Sequence, residues 1–215
     1  MSEILGFSGS PIKGGNLEYG LKTVLEATGA KTEFIRLYDF DLKVCRGCKK
    51  CAATNHCILD DSLNQFLDLI VQAKAVIFSG YPSFGSVNAM TKLFIERNWP
   101  LRHREILTQG KIGAAVICGH HGLAELADYF QRYFVDYLKT NYKGALIIEG
   151  NVPCLSCGFG EDCPGSGFLM DYGPGAKITP DKFRRFQDNP LLVAEAKKLG
   201  QEIGKAVKGS VTSAA

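Results

Sequence analysis

At 215 residues, 46% of them hydrophobic, the chain is long enough to bury a full core and short enough to form a single domain, expected over 1–208 with a disordered small-residue tail over 209–215. Its net charge of +3, with acidic and basic residues mixed throughout, carries no electrostatic footprint for nucleic acid. No apolar run approaches a membrane span and Glu3 interrupts any secretory leader, so a cytoplasmic protein is expected, in which eight cysteines argue for metal ligation or redox chemistry rather than disulfides.

The first apolar run, Ile4 to Ser8, reads as a strand and leads through Ser8-Gly9-Ser10-Pro11-Ile12-Lys13-Gly14-Gly15-Asn16 into a helix. Asn16 is placed as its N-cap, Leu17, Leu21, Val24 and Leu25 share one face, and Gly29 stops it. Hydroxyls, free backbone N–H groups and the helix dipole converge in that loop where a phosphate would sit. It is neither a Walker loop nor G-x-G-x-x-G, and a plain strand-to-helix turn fits it equally well.

A second strand, Thr32 to Leu37, precedes a loop over 44–58 that holds Cys45, Cys48, Cys51 and Cys57. This C-x2-C-x2-C-x5-C run supplies the four thiols of one 4Fe-4S cluster. Structural zinc is the alternative, although zinc usually draws on two separated knuckles, whereas Cys48 is shared between two overlapping ones. Asp60-Asp61 then reads as a helix start complementing the dipole.

The third strand, Ala75 to Ser79, runs into Gly80-Tyr81-Pro82-Ser83-Phe84-Gly85-Ser86-Val87-Asn88, a loop with aromatic groups and N–H donors suited to the edge of a planar ring. A helix follows Ser86, and Arg97, Arg102 and Arg104 beyond it read as a solvated helix end. The fourth strand, Ile112 to Cys118, ends on Gly119-His120-His121-Gly122, and a helix follows. His120 and His121 are candidate catalytic groups facing a cofactor or substrate, or else an exposed pair.

After the fifth strand, Ala145 to Glu149, an irregular stretch over 150–190 is long enough to be functional or held by something. Its Cys154, Cys157 and Cys163 fit a second iron-sulfur cluster with Cys118 as fourth ligand, a redox-active C-x-x-C pair, or structural zinc. A last helix is expected from about Leu191 to Val207.

Strands alternating with amphipathic helices predict an α/β fold, a doubly wound, five-stranded parallel sheet. The spacing fits the flavodoxin-like order 2-1-3-4-5, whose ligand crevice lies over the carboxyl ends of strands 1 and 3. The loops after strands 2 and 5 are then expected on opposite flanks of that crevice. No Ser/His/Asp triad or paired carboxylate site stands out.

Three motifs agree in order and spacing: Ser8-Gly-Ser-Pro-x-Lys-Gly-Gly-Asn16, the compact four-cysteine run, and Pro82-Ser-Phe-Gly-Ser86 followed by Lys92-x-Phe-Ile-Glu-Arg97. With them the chain, over roughly 3–150, resembles the iron-sulfur flavoproteins of the NAD(P)H-dependent FMN reductase branch of flavodoxin-like proteins. The resemblance implies an FMN phosphate on Ser8, Ser10, Lys13, Gly15 and Asn16. It implies the isoalloxazine against Pro82, Ser83, Phe84, Gly85, Ser86, Val87, Gly119, His120 and His121, and the cluster on Cys45, Cys48, Cys51 and Cys57. It further implies a homo-oligomer, dimer or tetramer, in which one subunit's cluster lies near another's FMN, with NAD(P)H or a ferredoxin as electron partner and a small-molecule acceptor. The family often has Arg in place of Ile12 and Thr or Ser in place of Leu17, so weaker FMN retention is expected. The competing expectations are a simple NAD(P)H:FMN or quinone reductase with structural zinc, and a non-catalytic electron shuttle or redox sensor.

Overall fold

The computed structural model describes residues 2–209. Five strands, β1 (Ile4–Ser8), β2 (Thr32–Arg36), β3 (Ala75–Gly80), β4 (Ile112–Gly119) and β5 (Asn141–Glu149), form one parallel sheet in the order 2-1-3-4-5. β1 and β3 are buried along their whole length, as central strands covered on both faces must be. Helices α2 (Leu63–Gln72), α3 (Ala89–Arg97) and α4 (Leu123–Arg132) cover one face over an aromatic core of Phe7, Phe66, Phe78, Phe94 and Phe134. On the other face α1 (Asn16–Ala27) and α6 (Pro190–Gly209) bury Leu17, Leu21, Val24, Ala196 and Ile203 against Ile4, Ile77, Val116 and Ile148.

Several boundaries differ from the sequence reading for local reasons. β5 begins at Asn141 rather than Ala145, because Gly144, with φ +102°, and a register shift opposite Gly113 and Ala115 interrupt an otherwise continuous strand. Gly15 is the N-cap of α1, and Asn16 is instead the first helical residue. The Asn16 side chain donates to Arg184 O at 2.9 Å and accepts from Phe186 N at 3.0 Å. α6 extends through Lys208 and Gly209, so the predicted disorder does not begin there; 210–215 lie outside the described residues.

The stretch 150–190 contains a short helix, α5 (Gly167–Tyr172), and a small core of its own, in which Val152, Leu155 and Phe168 pack with Ile178. Asn16 and Asn151 both bind the Arg184 carbonyl, and Phe186 is buried in the core beneath α1 and α6. Apolar burial and hydrogen bonds therefore hold this segment across the carboxyl edge of the sheet.

α6 and α1 touch backbone to backbone. A Cβ at Gly200 would run into the Val24 carbonyl, and one at Gly204 into the Thr28 carbonyl. Alanine would gain about 1 kcal/mol of helix propensity there, but overlap with a fixed carbonyl forces the helices apart. Gly204→Ala is therefore expected to destabilise the protein by about 1–3 kcal/mol, read as a lower urea midpoint at unchanged slope. Gly165→Ala, whose Cβ meets nothing within 4 Å, should leave the midpoint in place.

Candidate functional site

Three loops meet over the carboxyl ends of β1, β3 and β4. In the first, Ser8 and Ser10 are buried and turn the chain on their own hydroxyls. Ser10 Oγ accepts from Ile12 N at 3.1 Å and donates to Ile12 O at 3.3 Å, while Ser8 Oγ accepts from Ser10 N at 3.4 Å. Behind the loop, buried Glu18 accepts from Gly14 N at 2.9 Å and from Arg36 Nε at 2.7 Å, and Arg36 Nη2 donates to Pro11 O at 2.7 Å. No side chain caps α1 at Gly15, so the N–H groups of its first turn remain open to an anion. Lys13 lies in solvent, 3.8 Å from Asp39, and Asn16 is committed to the Arg184–Phe186 backbone. Ile12 is 65% exposed and Leu17 is buried in the core, so neither adds a polar contact.

In the second loop, Pro82–Ser83 and Ser86–Val87 pair antiparallel, with Phe84 and Gly85 at the tip at φ +46° and +74°. This is the mirror-image turn that tight hairpins favour, and it leaves the Phe84 ring fully in solvent. Asn88 joins hairpin and first loop into one unit. Buried, it donates from Nδ2 to Gly9 O at 2.8 Å, accepts on Oδ1 from Tyr81 N at 3.1 Å and Thr91 Oγ1 at 2.9 Å, and donates its N–H to Tyr81 O at 3.0 Å. A Cβ at Gly9 would collide with Thr91 Oγ1, so only glycine permits that closure. The third loop is packed against the hairpin, since Gly119 and Gly122 leave room for Pro82. Buried hydroxyls, an uncapped helix end and an adjacent hairpin edge together fit a phosphorylated planar cofactor.

The cysteine loop closes at its base, where Ser62 N donates to Asp41 O at 3.1 Å and Lys43 N to Asp61 Oδ2 at 2.9 Å. Gly47, Lys49 and Asn55, with φ of +61°, +59° and +55°, reverse the chain within it, a conformation uncommon for residues bearing a Cβ. Asn64 clamps Cys57, accepting from its N–H at 3.0 Å and donating to its carbonyl at 2.8 Å. Gly47 N–H points at Cys45 Sγ, 3.5 Å away.

Arg97, which the sequence presents as part of a solvated helix end, is 2% exposed. Its guanidinium forms a two-pronged pair with Asp61, at 2.6 and 3.1 Å, donates to the Lys43 carbonyl, and reaches Cys57 Sγ at 3.3 Å. Asp61 is thus a buried ion-pair partner and not merely a complement to the helix dipole. Arg104 is exposed, as the solvated reading has it, and donates to Ala53 O at 3.0 Å, while Arg102 lies over the Tyr137 ring. Arg97 closes the Lys92-to-Arg97 motif, but nothing local marks its burial, because its partners lie 36 to 54 residues away.

Burial pushes the Cys51 thiol up, and the charges of Cys57, Cys48 and Cys45 add to the rise. Bound metal cations relieve that repulsion. Among the described residues no three of these sulfurs lie within 4.8 Å of one another. Ligands of one tetrahedral zinc stand about 3.8 Å apart, closer than any three of these sulfurs. Arg97 closes α3 about 12 Å from Ala89, the residue that follows the hairpin unit. The cysteine loop therefore docks against the far end of α3, while the turn that leads into it from β2 stays beside the crevice, where Tyr38 meets Tyr81 and Asp39 lies 3.8 Å from Lys13.

His120 and His121 follow β4 with ring centroids 4.1 Å apart, and His120 Nε2 lies 2.7 Å from Asp171 Oδ2 on α5. Asp171 carries no signal in the sequence. Amides of Phe168 and Gly167 pull the Cys154 thiol below its ordinary value, whereas Cys118 packs against the core under α1 and α6, where burial pushes its thiol up to about 12. Cys157 is exposed and accepts from Phe159 N at 3.4 Å, and no three of Cys118, Cys154, Cys157 and Cys163 have sulfurs within 4.8 Å of one another. Among the described residues no helix is long and apolar enough to cross a membrane.

Residues 2–148 match the NADPH-dependent FMN reductase family model. An iron-sulfur flavoprotein of Methanocaldococcus jannaschii is 34% identical over 120 residues, 54% of this chain and 62% of that protein. An iron-sulfur flavoprotein of Archaeoglobus fulgidus is 24% identical over 196 residues, 89% of this chain and 95% of the relative. Among solved structures, an azoreductase from Bacillus anthracis superposes with a TM-score of 0.59 at 12% identity, covering 94% of this chain and all of that one, and shares the fold.

The Arg97–Asp61 pair generates two expectations. Burial disfavours the Asp61 carboxylate, but hydrogen bonds from Arg97, Lys43 N and Leu63 N outweigh it and hold the carboxyl below the usual range. The unfolded state then binds more protons, so the pair's stabilisation is present above about pH 3.9 and is lost as pH falls through the folded-state value. Asp61→Asn should flatten that acid limb in a titration followed by Trp99 fluorescence. Arg97→Met should cost about 3–5 kcal/mol in urea unfolding by stranding a buried carboxylate, and Arg97→Met with Asp61→Leu should recover much of the loss.

Proposed function

Because the chain belongs to the NADPH-dependent FMN reductase family, we propose that it is an FMN and iron-sulfur oxidoreductase, passing electrons between NAD(P)H or a ferredoxin and a small-molecule or protein acceptor. The observation that carries this reading is one loop that presents Cys45, Cys48, Cys51 and Cys57 as free thiols and is tied to the scaffold by Arg97. FMN, when bound, exchanges electrons in pairs or singly and a cluster exchanges them one at a time, so the two together convert between two-electron and one-electron partners. Ser8, Ser10 and the first turn of α1 would hold the phosphate, and the Pro82–Val87 hairpin with the backbone of Gly119 to His121 would hold the ring. Asn88 keeps both loops in register.

The position of the cysteine loop supports electron exit to another molecule. Cys45 and Cys48 are exposed, so a second protomer in a homo-oligomer, or a ferredoxin, is the natural neighbour. We assign a single cluster per chain, since the 150–190 segment has its own apolar core and Cys118 is held in the sheet core.

Protein purified without oxygen should contain about four irons, about four labile sulfides and one FMN per chain, and Cys51→Ser should lose the iron and keep the flavin. About seven or eight irons would place a second cluster on Cys154, Cys157 and Cys163; zinc without labile sulfide would leave a plain flavin reductase. Reduction of bound FMN by ferredoxin or dithionite alone, and never by NAD(P)H, would mark a shuttle. Ile12→Arg, at an exposed site beside the phosphate loop, should tighten FMN binding about tenfold, read by equilibrium dialysis.

A further inference from the structure

We propose that His120, His121 and Asp171 bind a divalent transition-metal ion at the carboxyl edge of the sheet, apart from the cysteine loop and whether or not a cluster fills that loop. One ligand atom from each of the three side chains lies within 4.8 Å of the other two, and among the described residues no other group of three His, Cys, Asp or Glu side chains meets that condition. His120 is mostly buried, yet neither of its ring nitrogens has an aligned hydrogen-bond partner. Nε2 is 2.7 Å from Asp171 Oδ2 but out of line for donation. A buried imidazole normally satisfies both nitrogens, so this one is short of a partner that an ion would supply.

Ligands at about 2.0–2.1 Å and 90–109° stand about 2.9–3.4 Å apart. His121 and Asp171 are exposed and free to move by the ångström that closure onto an ion requires. A pocket of about 10 Å³, room for one water-sized guest, opens beside His120 and Asp171. Its two cations are already matched, Arg184 by Glu149 at 2.5 Å and Lys182 by Asp181 at 3.2 Å. Two imidazoles and one carboxylate favour zinc, iron(II), cobalt or nickel over calcium or magnesium, and three protein ligands leave positions open for water or an oxygen-donor substrate. Such an ion would join the loop after β4 to α5, and so clip the Cys154 segment to the edge of the flavin crevice.

The test is equilibrium dialysis of the full chain, purified without oxygen and carrying its native cofactors, against cobalt(II), with cobalt K-edge absorption to separate nitrogen and oxygen ligands from sulfur. One cobalt per chain in a sulfur-free shell is expected. Asp171→Asn and His121→Ala should each weaken it at least about tenfold, and Cys157→Ser should leave it unchanged. Absence of saturable binding, sulfur in the shell, or wild-type affinity in both Asp171→Asn and His121→Ala would overturn the assignment. The iron and sulfide content of the same samples reports separately on the cysteine loop.

Discussion

A guanidinium removed from water must find partners for its donors, and burial of Arg97 imposes that requirement at the end of α3. α3 itself offers none. The partners come from the base of the cysteine loop, through the Lys43 carbonyl, from Asp61 just before α2, and from the Cys57 sulfur. One side chain thereby locks a helix end, a loop base and a thiol into one arrangement. The wide excursion between β2 and α2 acquires a fixed seat although it has few apolar residues of its own. Removing the guanidinium would strand a carboxylate and release the loop together, so the position of the four thiols and the stability of this edge of the domain are coupled.

Asn88 plays the corresponding part at the crevice. Its two backbone-directed amide bonds hold the hairpin against the loop after β1, and Gly9 and Gly119 allow contacts that a Cβ would prevent. The two polar anchors stand at opposite ends of α3, one beside the flavin-type crevice and one beside the cysteines. A short helix thus ties the loops over the sheet to the base of the cysteine loop.

The parallel sheet was legible because burial on both faces forces continuous apolar runs, and β1 matched residue for residue. β5 was shortened in the reading because Gly144 breaks its apolar run, and Asn16 looked like a cap because Asn before an apolar stretch usually is one. The cysteine run was visible as spacing. What held it was not, since Arg97 and Asp61 follow ordinary local patterns and gain their roles only through contacts 36 residues apart. Asp171 was invisible for the same reason: nothing near it in sequence suggests that α5 folds back to His120.

The eight cysteines show how far surroundings, rather than residue type, set sulfur chemistry. Cys118 is held in the sheet core, where a charged sulfur is costly, and stays a protonated, inert thiol. Cys154 is pulled the other way by amide N–H groups at the start of α5, which favour its thiolate. Cys51 is raised by burial and by three other sulfurs, which outweigh a backbone hydrogen bond that favours its thiolate, and a bound metal cation would relieve the repulsion. The Cys154 segment has an apolar core to hold it and amide N–H groups that favour its anion, the form in which a cysteine serves either thiol chemistry or metal ligation.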